Sequence, residues 1–187
     1  MKTNFICADP PWTFKTWSSK GKGRSPEQHY DCMSMEDLCA LPVIDLLSDD
    51  ALLFLWTTFP LIFDAPRLAL AWGFTQYSGS GFVWVKTNKT KEGLSWGLGY
   101  GTRKNAECCL VFKRGNGIKR VDAGVHEVIM SPKRKHSQKP DDAYTRIEKL
   151  YGNNLINPVE LFARERRDGW YVWGDEVVND FEFGSRR

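Results

Sequence analysis

The residues best suited to chemistry form the tetrapeptide Asp9-Pro10-Pro11-Trp12, which directly follows a short apolar run near the amino terminus. A residue before a proline is biased towards extended backbone, and neither proline has an N–H to donate. The tetrapeptide therefore predicts a stiff corner that presents carbonyl oxygens, one carboxylate and an aromatic ring.

A corner of this kind suits a flat ring that carries an exocyclic amine. Trp12 or a nearby aromatic side chain could stack on the ring, while the Asp9 carboxylate and the Pro10 carbonyl accept the two hydrogens of the amine. Two acceptors favour the pyramidal form of the nitrogen, whose lone pair can attack an electrophile. The candidate amines are N6 of adenine and N4 of cytosine. An acidic strand end followed by a Pro-Pro loop is the alternative that the tetrapeptide alone leaves open.

The net charge of +3 hides a separation of charge along the chain. Four segments, 13–28, 86–104, 113–120 and 131–139, hold 17 of the 26 basic residues and only two of the 23 acidic ones. They carry a net +15 over 52 residues, whereas the rest of the chain carries −12. Basic clusters of this kind are suited to the phosphates of nucleic acids. The sequence therefore predicts a nucleic-acid partner at these segments.

The composition argues against several classes of protein. A chain of 187 residues has single-domain size, and its 42% hydrophobic residues suffice for a core. We find no run of about eighteen apolar residues and no leader, so we expect a soluble, unprocessed protein with no membrane partner. The five cysteines form no C-x-x-C pair and the three histidines complete no zinc site of usual spacing, so no metal is expected. The odd number of thiols favours a reducing compartment and hence the cytoplasm.

Short apolar runs recur along the chain and predict buried strands, because they lack polar alternation. The predicted strands are 4–8, 51–57, 81–86, 107–113, 158–163 and 169–173. Helical patterns lie at 35–47 with an interruption at Pro42, at 61–72 with a break or late start at Pro66, and between Pro140 and Gly152. This alternation indicates a three-layer α/β/α fold around a mostly parallel sheet. We expect one domain over residues 1–187, with a core at about 4–178, mobile basic loops at 13–28 and 87–106, and a tail at 179–187.

Eight sequence blocks resemble, in the same order, those of one known family. They are Ala8-Asp9-Pro10-Pro11-Trp12, His29-Tyr30-Asp31-Cys32-Met33-Ser34, Leu53-Phe54-Leu55-Trp56-Thr57-Thr58, Val83-Trp84-Val85-Lys86-Thr87-Asn88, Glu107-Cys108-Cys109-Leu110-Val111, His136-Ser137-Gln138-Lys139-Pro140-Asp141, Glu160-Leu161-Phe162-Ala163-Arg164, and Gly169-Trp170 through Gly174-Asp175-Glu176. From Phe5 to about Val177 the chain resembles the N6-adenine methyltransferases. This family includes the catalytic subunit of the eukaryotic messenger-RNA methyltransferase and many small prokaryotic and phage proteins.

The resemblance implies a Rossmann-like fold with the catalytic motif before the cofactor motif in the chain. It implies that Asp9 and Pro10 hold the target amine, and that Tyr30 and Glu107 lie beside the target base. Lys86, in the fourth block, is expected on the same substrate side.

The resemblance also implies S-adenosylmethionine as the cofactor. Lys139 would pair with the methionine carboxylate of the cofactor, although an exposed lysine near a helix start is the alternative. Phe162 and Arg164 should line the cofactor beside the catalytic aspartate, which is itself expected to contact it. Asp175 and Glu176 follow a predicted strand, where carboxylates can accept hydrogen bonds from ribose hydroxyls. The messenger-RNA enzyme has amides at these last two positions, so their equivalence is an expectation from chemistry alone.

The basic loops predict contacts to the substrate, because their cations can approach phosphates and their aromatic rings can stack on bases. The substrate-binding candidates on the loops are Trp17, Lys22, Arg24 and Arg103. A base inside a duplex is out of reach, so the enzyme would act on single strands or flip the base. We expect DNA as the substrate, since small stand-alone relatives act on DNA. An RNA adenine methyltransferase and a catalytically inactive nucleic-acid-binding subunit are the alternatives, and both monomer and homodimer are compatible with the sequence.

Overall fold

A seven-stranded sheet forms the centre of the protein in a computed structural model that describes residues 1–13, 32–99, 101–134 and 138–184. The strands are β1 (Thr3–Ala8), β2 (Leu47–Thr57), β3 (Gln76–Thr87), β4 (Ala106–Arg114), β5 (Val128–Pro132), β6 (Val159–Leu161) and β7 (Tyr171–Trp173). Their order across the sheet is β5-β3-β4-β2-β1-β6-β7. β4 runs antiparallel to both of its neighbours, and all other neighbouring strands are parallel. The expected mostly parallel sheet is confirmed.

The strand β1 lies inside the sheet, paired with β2 on one side and with β6 on the other. All six of its residues are buried. A parallel strand that is covered on both faces needs a continuous apolar run rather than alternation, which is the pattern of this segment. The corner at Asp9 to Trp12 therefore follows one of the most firmly held strands of the fold.

Three helices were predicted, and all three are present: α1 (Met35–Ala40), α2 (Ala65–Ala71) and α3 (Asp141–Tyr151). The Ser34 hydroxyl caps α1 by accepting a hydrogen bond from the Asp37 N–H at 3.0 Å. The helix stops before Pro42, and a 3₁₀ turn continues the chain from Val43 to Leu46. The late start of α2 places Pro66 in its first turn. A proline costs no hydrogen bond there, because the N–H groups of the first turn have no partner within the helix. Further 3₁₀ turns cover Phe59–Leu61 and Gly152–Asn154.

The helices cover both faces of the sheet and make three layers. α1 and α2 pack on one face, where the Trp72 indole N–H donates to the Leu38 carbonyl at 2.8 Å and ties the two helices together. α3 packs on the other face through Ala143, Tyr144 and Ile147. The fold is the Rossmann-like α/β/α arrangement expected from the sequence.

Several boundaries differ from the prediction. β5 was not predicted, because of its five residues only Ile129 is buried and the apolar signal of a strand is interrupted. β3 begins at Gln76, well before the predicted start, and its first half is largely exposed. The described part of the expected tail packs against β7, with the Phe183 ring 4.9 Å from that of Trp173. Aromatic packing therefore extends the core beyond residue 178.

Candidate active site

The predicted site residues meet at the carboxyl ends of the parallel strands, along the side of the sheet that we call the sheet edge. Asp9 follows β1, Phe162 and Arg164 follow β6, and the Asp175-Glu176 pair follows β7. Ligands bind at this edge in open α/β sheets, because the loops after the strands converge there. β3 ends near Lys86 at the same edge. Since β4 is antiparallel, its first residues rather than its last lie there, and this brings Glu107 to the site.

Hydrogen bonds fix the corner at Asp9 to Trp12. The Trp12 N–H donates to the Pro10 carbonyl at 2.8 Å, and the Met33 N–H donates to the Pro11 carbonyl at 3.0 Å. The Trp12 ring is only 6% exposed, and its indole N–H donates to the Trp56 carbonyl at 3.1 Å. Trp12 therefore anchors the corner in the core, which leaves stacking on a substrate ring to other aromatic side chains. The Pro10 oxygen retains a second lone pair for a further donor.

A chain of alternating charges runs through the site. The Lys139 ammonium lies 2.6 Å from Asp9 Oδ2 and 3.0 Å from Glu107 Oε2. Glu107 also pairs through its other oxygen with Lys86, whose ammonium lies 4.9 Å from the centre of the Trp84 ring. The side chain of Lys139 is only 5% exposed, so the exposed-lysine alternative is wrong. Lys139 therefore bridges the two carboxylates.

Burial and the neighbouring charges act in opposite directions on the pKa values of these charged side chains. Burial raises the pKa of the Asp9 carboxyl, although the ammonium of Lys139 opposes the shift. Burial would also raise the pKa of Glu107, but the ammonium groups of Lys139 and Lys86 outweigh it and hold that pKa below its usual value. The two carboxylates raise the pKa of Lys139 above its ordinary value despite its burial. Lys139 therefore stays charged at any physiological pH.

Two adjoining cavities, which we call the cofactor cavity, lie beside Asp9. Both are lined by Asp9, Phe162 and Arg164, and one of them also by Asp175 and Glu176. Their volumes are about 20 and 50 Å³, so the lining side chains must move apart to admit a ligand the size of a nucleoside. The side-chain chemistry nevertheless fits S-adenosylmethionine, since carboxylates suit ribose hydroxyls and an ammonium, and basic groups suit a carboxylate.

The backbone at the cofactor cavity is shaped by close contacts. Phe162 has a φ of 62°, a left-handed conformation that costs a non-glycine residue about 1–3 kcal/mol. Its ring lies 5.5 Å from that of Trp173 and 6.4 Å from that of Trp72, and this packing holds it in place. A Cβ on Gly174 would lie 2.3 Å from the Ala163 carbonyl oxygen, so only glycine fits there.

A buried cluster behind Asp9 was missed at the level of sequence. The Tyr144 hydroxyl donates to Glu160 Oε1 at 2.6 Å, and the Arg167 guanidinium lies 3.6 Å from the centre of the Tyr144 ring. Arg167 Nε is 3.5 Å from Glu160 Oε2, and both atoms are buried without a hydrogen-bond partner among the described residues. Burial raises the pKa of Glu160 to about 7. The signal in the sequence that could have revealed this cluster is a charged residue, Glu160, within a very short buried strand.

A third cavity of about 220 Å³, which we call the acceptor cavity, lies on the other side of Lys139. Lys86 and Glu107, the two residues expected on the substrate side, form part of its wall. Thr58 and Phe59, which follow β2, also line it and were not among the predicted site residues. Leu98, from the loop after β3, lines the same cavity.

The remaining substrate candidates fall into two groups. Arg103 lies in the described part of the loop, with its guanidinium 4.7 Å from the centre of the half-exposed Trp96 ring. The other candidates, Trp17, Lys22, Arg24 and Tyr30, lie outside the described residues. Their roles stay predictions.

Among the described residues, no group of three or more His, Cys, Asp or Glu side chains is arranged to hold a metal ion. No helix among the same residues is long and apolar enough to cross a membrane. The five cysteines are free thiols.

Comparison with known proteins gives the same family as the resemblance of the sequence blocks, along nearly the whole chain. The MT-A70 family profile matches residues 3–176. A type II methyltransferase, M.MunI from Mycoplasma sp., is 30% identical over 96% of this chain and 79% of its own length. The catalytic subunit METTL3 of the human N(6)-adenosine-methyltransferase is 28% identical over 92% of this chain but only 28% of its own length.

The eukaryotic relatives are mostly much longer proteins. The chain spans 27% of the zebrafish METTL3 subunit, to which it is 29% identical, and 52% of the RNA methyltransferase MTA1 of Cryphonectria parasitica, to which it is 30% identical. All of these relatives are named methyltransferases, and the matched region includes the charged site at the sheet edge. The chain therefore belongs to the MT-A70 family of methyltransferases.

Proposed function

We propose that the protein transfers a methyl group from S-adenosylmethionine to the N6 amine of adenine in DNA. The observation that carries this proposal is that Asp9 lines one cavity and is linked through an ion pair to the wall of the other. Asp9 lines the cofactor cavity directly, and it is joined through Lys139 to Glu107, which lines the acceptor cavity. A donor and an acceptor bound on the two sides would meet at one carboxylate.

The cofactor cavity supplies a group for each polar part of S-adenosylmethionine. Asp175 and Glu176 would accept hydrogen bonds from the ribose hydroxyls, and Phe162 would pack against the cofactor. Lys139, Arg164 and Arg167 are the cations that line the cavity, and Lys139 is the one expected to pair with the methionine carboxylate. Bound there, the cofactor would supply an electrophilic methyl group.

The protein's own contribution is to hold the target amine in a reactive geometry. The Asp9 carboxylate and the free lone pair of the Pro10 carbonyl accept one hydrogen each, which withdraws the nitrogen lone pair from the ring and leaves it available for attack. The nitrogen becomes cationic as the N–C bond forms and the S–C bond of the sulfonium would break, with that electron pair staying on sulfur, and the proton on nitrogen is then acidic. Asp9 or water can accept this proton, so no strong base is required.

Adenine in DNA is favoured by how much of each relative the chain covers. The chain covers 79% of the type II methyltransferase, whereas it covers about a quarter of the METTL3 proteins, which are named N(6)-adenosine-methyltransferases. This agrees with the expectation that small stand-alone relatives act on DNA.

The free thiols support the cytoplasm as the compartment.

Replacement of the amine acceptor tests the proposal. We expect Asp9→Ala to abolish methyl transfer to a single-stranded oligonucleotide, because one of the two acceptors is lost, while the far-ultraviolet circular dichroism spectrum and the DNA affinity are retained. The matched control is Asp49→Ala, which removes an exposed carboxylate from the other end of β2. Single-turnover transfer of a labelled methyl group is the measurement. Equal rates for Asp9→Ala and the wild type would overturn the assignment.

A further inference from the structure

A second and larger cavity lies next to the acceptor cavity, beside β5, the outermost strand of the sheet. This edge cavity has a volume of about 650 Å³ and is lined by Lys89, Ser131 and Gln138 among others. Lys133 lines both cavities and stands at their junction. A strand whose target base occupied the acceptor cavity could therefore continue past Lys133 into the edge cavity.

The size of the acceptor cavity suits one base and not more. Its 220 Å³ is below the roughly 300–1,000 Å³ of sites for drug-sized ligands, so a single ring system fits and a dinucleotide does not. The nucleotides that flank the target must then lie outside. Phe59 is 46% exposed at the rim and offers a face on which a neighbouring base can stack.

The cations around these cavities differ in whether acidic partners neutralise them. Lys86, Arg134 and Lys139 all form ion pairs with carboxylates. Lys89 and Lys133 at the edge cavity, and Lys104 at the acceptor cavity, form no ion pair within residues 1–13, 32–99, 101–134 and 138–184. Their positive charge is therefore available to an external anion.

The acidic side chains at the edge cavity do not cancel this charge. Asp141 pairs with Arg134 at 2.5 Å and with Arg167 at 2.9 Å, and Asp142 pairs with Arg146 at 2.8 Å. Each carboxylate is thus compensated by an arginine. The uncompensated charge of the edge cavity comes from its two lysines.

We propose that the substrate strand runs from the acceptor cavity past Lys133 into the edge cavity, so that Lys133 and Lys89 contact consecutive phosphates on one side of the target nucleotide and Lys104 contacts a phosphate on the other. This deepens the proposed function and rests on it for the identity of the strand. A polyanion with one base withdrawn is the ligand that fits a one-base cavity, an aromatic ring at its rim and three ammonium groups that no carboxylate among the described residues neutralises.

Binding of a fluorescent single-stranded DNA of twelve nucleotides with one central adenine, followed over a range of salt concentrations, tests this path. The three neutralised phosphates of this path contribute about −2 to the slope of log K against log salt for a single strand. We expect Lys133→Ala and Lys89→Ala each to reduce the magnitude of the slope by about 0.7 and the affinity by roughly 3–5-fold. Lys149→Ala, which removes an exposed lysine outside both cavities and outside the four basic segments, is the control and should leave both values unchanged.

A neutral methylphosphonate placed at one phosphate at a time identifies the contact. The wild type should lose affinity when the phosphate beside the target nucleotide on the edge-cavity side is neutral, and Lys133→Ala should lose no more at that position. If the losses from the methylphosphonate and from the substitution are additive at every position, or if Lys133→Ala behaves like Lys149→Ala, the path is wrong.

Because binding needs no methyl transfer, this experiment separates the two proposals. A protein that binds with the expected slopes and methylates no base would refute the enzymatic proposal alone. One that methylates DNA with slopes insensitive to both lysines would refute the path alone.

Discussion

Replacement of Lys139 by methionine removes the central cation of the site while it keeps the length of the side chain. The ammonium lies within 3.0 Å of both Asp9 and Glu107, whose side chains are 23% and 11% exposed. Without it, two carboxylates face each other in a largely buried space. The substitution therefore tests whether the charge chain stabilises the fold.

The expected loss of stability follows from the burial of the partners. Removing one member of a buried ion pair usually costs about 3–5 kcal/mol, because the remaining charge is left uncompensated. Glu107 keeps Lys86 and Asp9 is partly hydrated, so we expect about 3 kcal/mol at pH 8. A domain of this size is stable by roughly 5–15 kcal/mol, so the variant should still fold.

The loss should depend on pH in a defined direction. Lys139 lowers the pKa values of Asp9 and Glu107, so its removal lets burial raise both in the folded state. Folded-state pKa values above the unfolded ones give stability that is present at low pH and is lost as the pH rises. The difference between the wild type and Lys139→Met should therefore be largest near pH 8 and smaller near pH 5.

Urea unfolding at pH 8 and pH 5 measures this difference directly. Lys119→Met is the control for loss of an exposed lysine and should change stability by no more than about 0.5 kcal/mol. A loss below about 1 kcal/mol at pH 8, or a loss that grows on acidification, would refute the reasoning.

Two further predictions concern neighbouring parts of the site. Burial raises the pKa of Glu160 from 4.5 to about 7, so the folded protein holds a proton that the unfolded chain releases, and stability should fall as the pH rises from about 4.5 to 7. Glu160→Gln should remove this dependence and stabilise the protein above pH 7 by up to about 3 kcal/mol, whereas parallel melting profiles of the two proteins would contradict the shift. Gly174→Ala should cost about 3 kcal/mol by urea unfolding, because its Cβ would lie 2.3 Å from the Ala163 carbonyl oxygen. Gly184→Ala, where no atom lies within 4 Å of the added Cβ, should cost almost nothing, and equal effects of the two substitutions would show that the close contact relaxes freely.

The elements that sequence reasoning located well are those with strong local signals. α3 has a proline at its start, two acidic residues in its first turn and a glycine at its end, so both boundaries could be predicted. β1 has an uninterrupted apolar run because both of its faces are covered. β5 lacks such a signal, since its exposed edge position requires only one buried residue in five.

The site could be predicted as a set of residues but not as a network of contacts. Asp9 and Lys139 are 130 positions apart, and their contact depends on how β1 and the start of α3 meet across the sheet. The cluster of Tyr144, Glu160 and Arg167 brings together three elements for the same reason. Composition and spacing contain no information on such pairings. The buried position of the Trp12 ring could likewise not be predicted, since an aromatic residue in a corner suits a core as well as a substrate.

Nucleoside analysis after methyl transfer tests the central claim most directly. The protein is incubated with labelled S-adenosylmethionine and matched single-stranded and duplex oligonucleotides of DNA and RNA, and the products are digested to nucleosides and separated. We predict label in N6-methyldeoxyadenosine from DNA and none in N4-methyldeoxycytidine. Label in cytosine, or label in RNA adenosine with none in DNA, would contradict it.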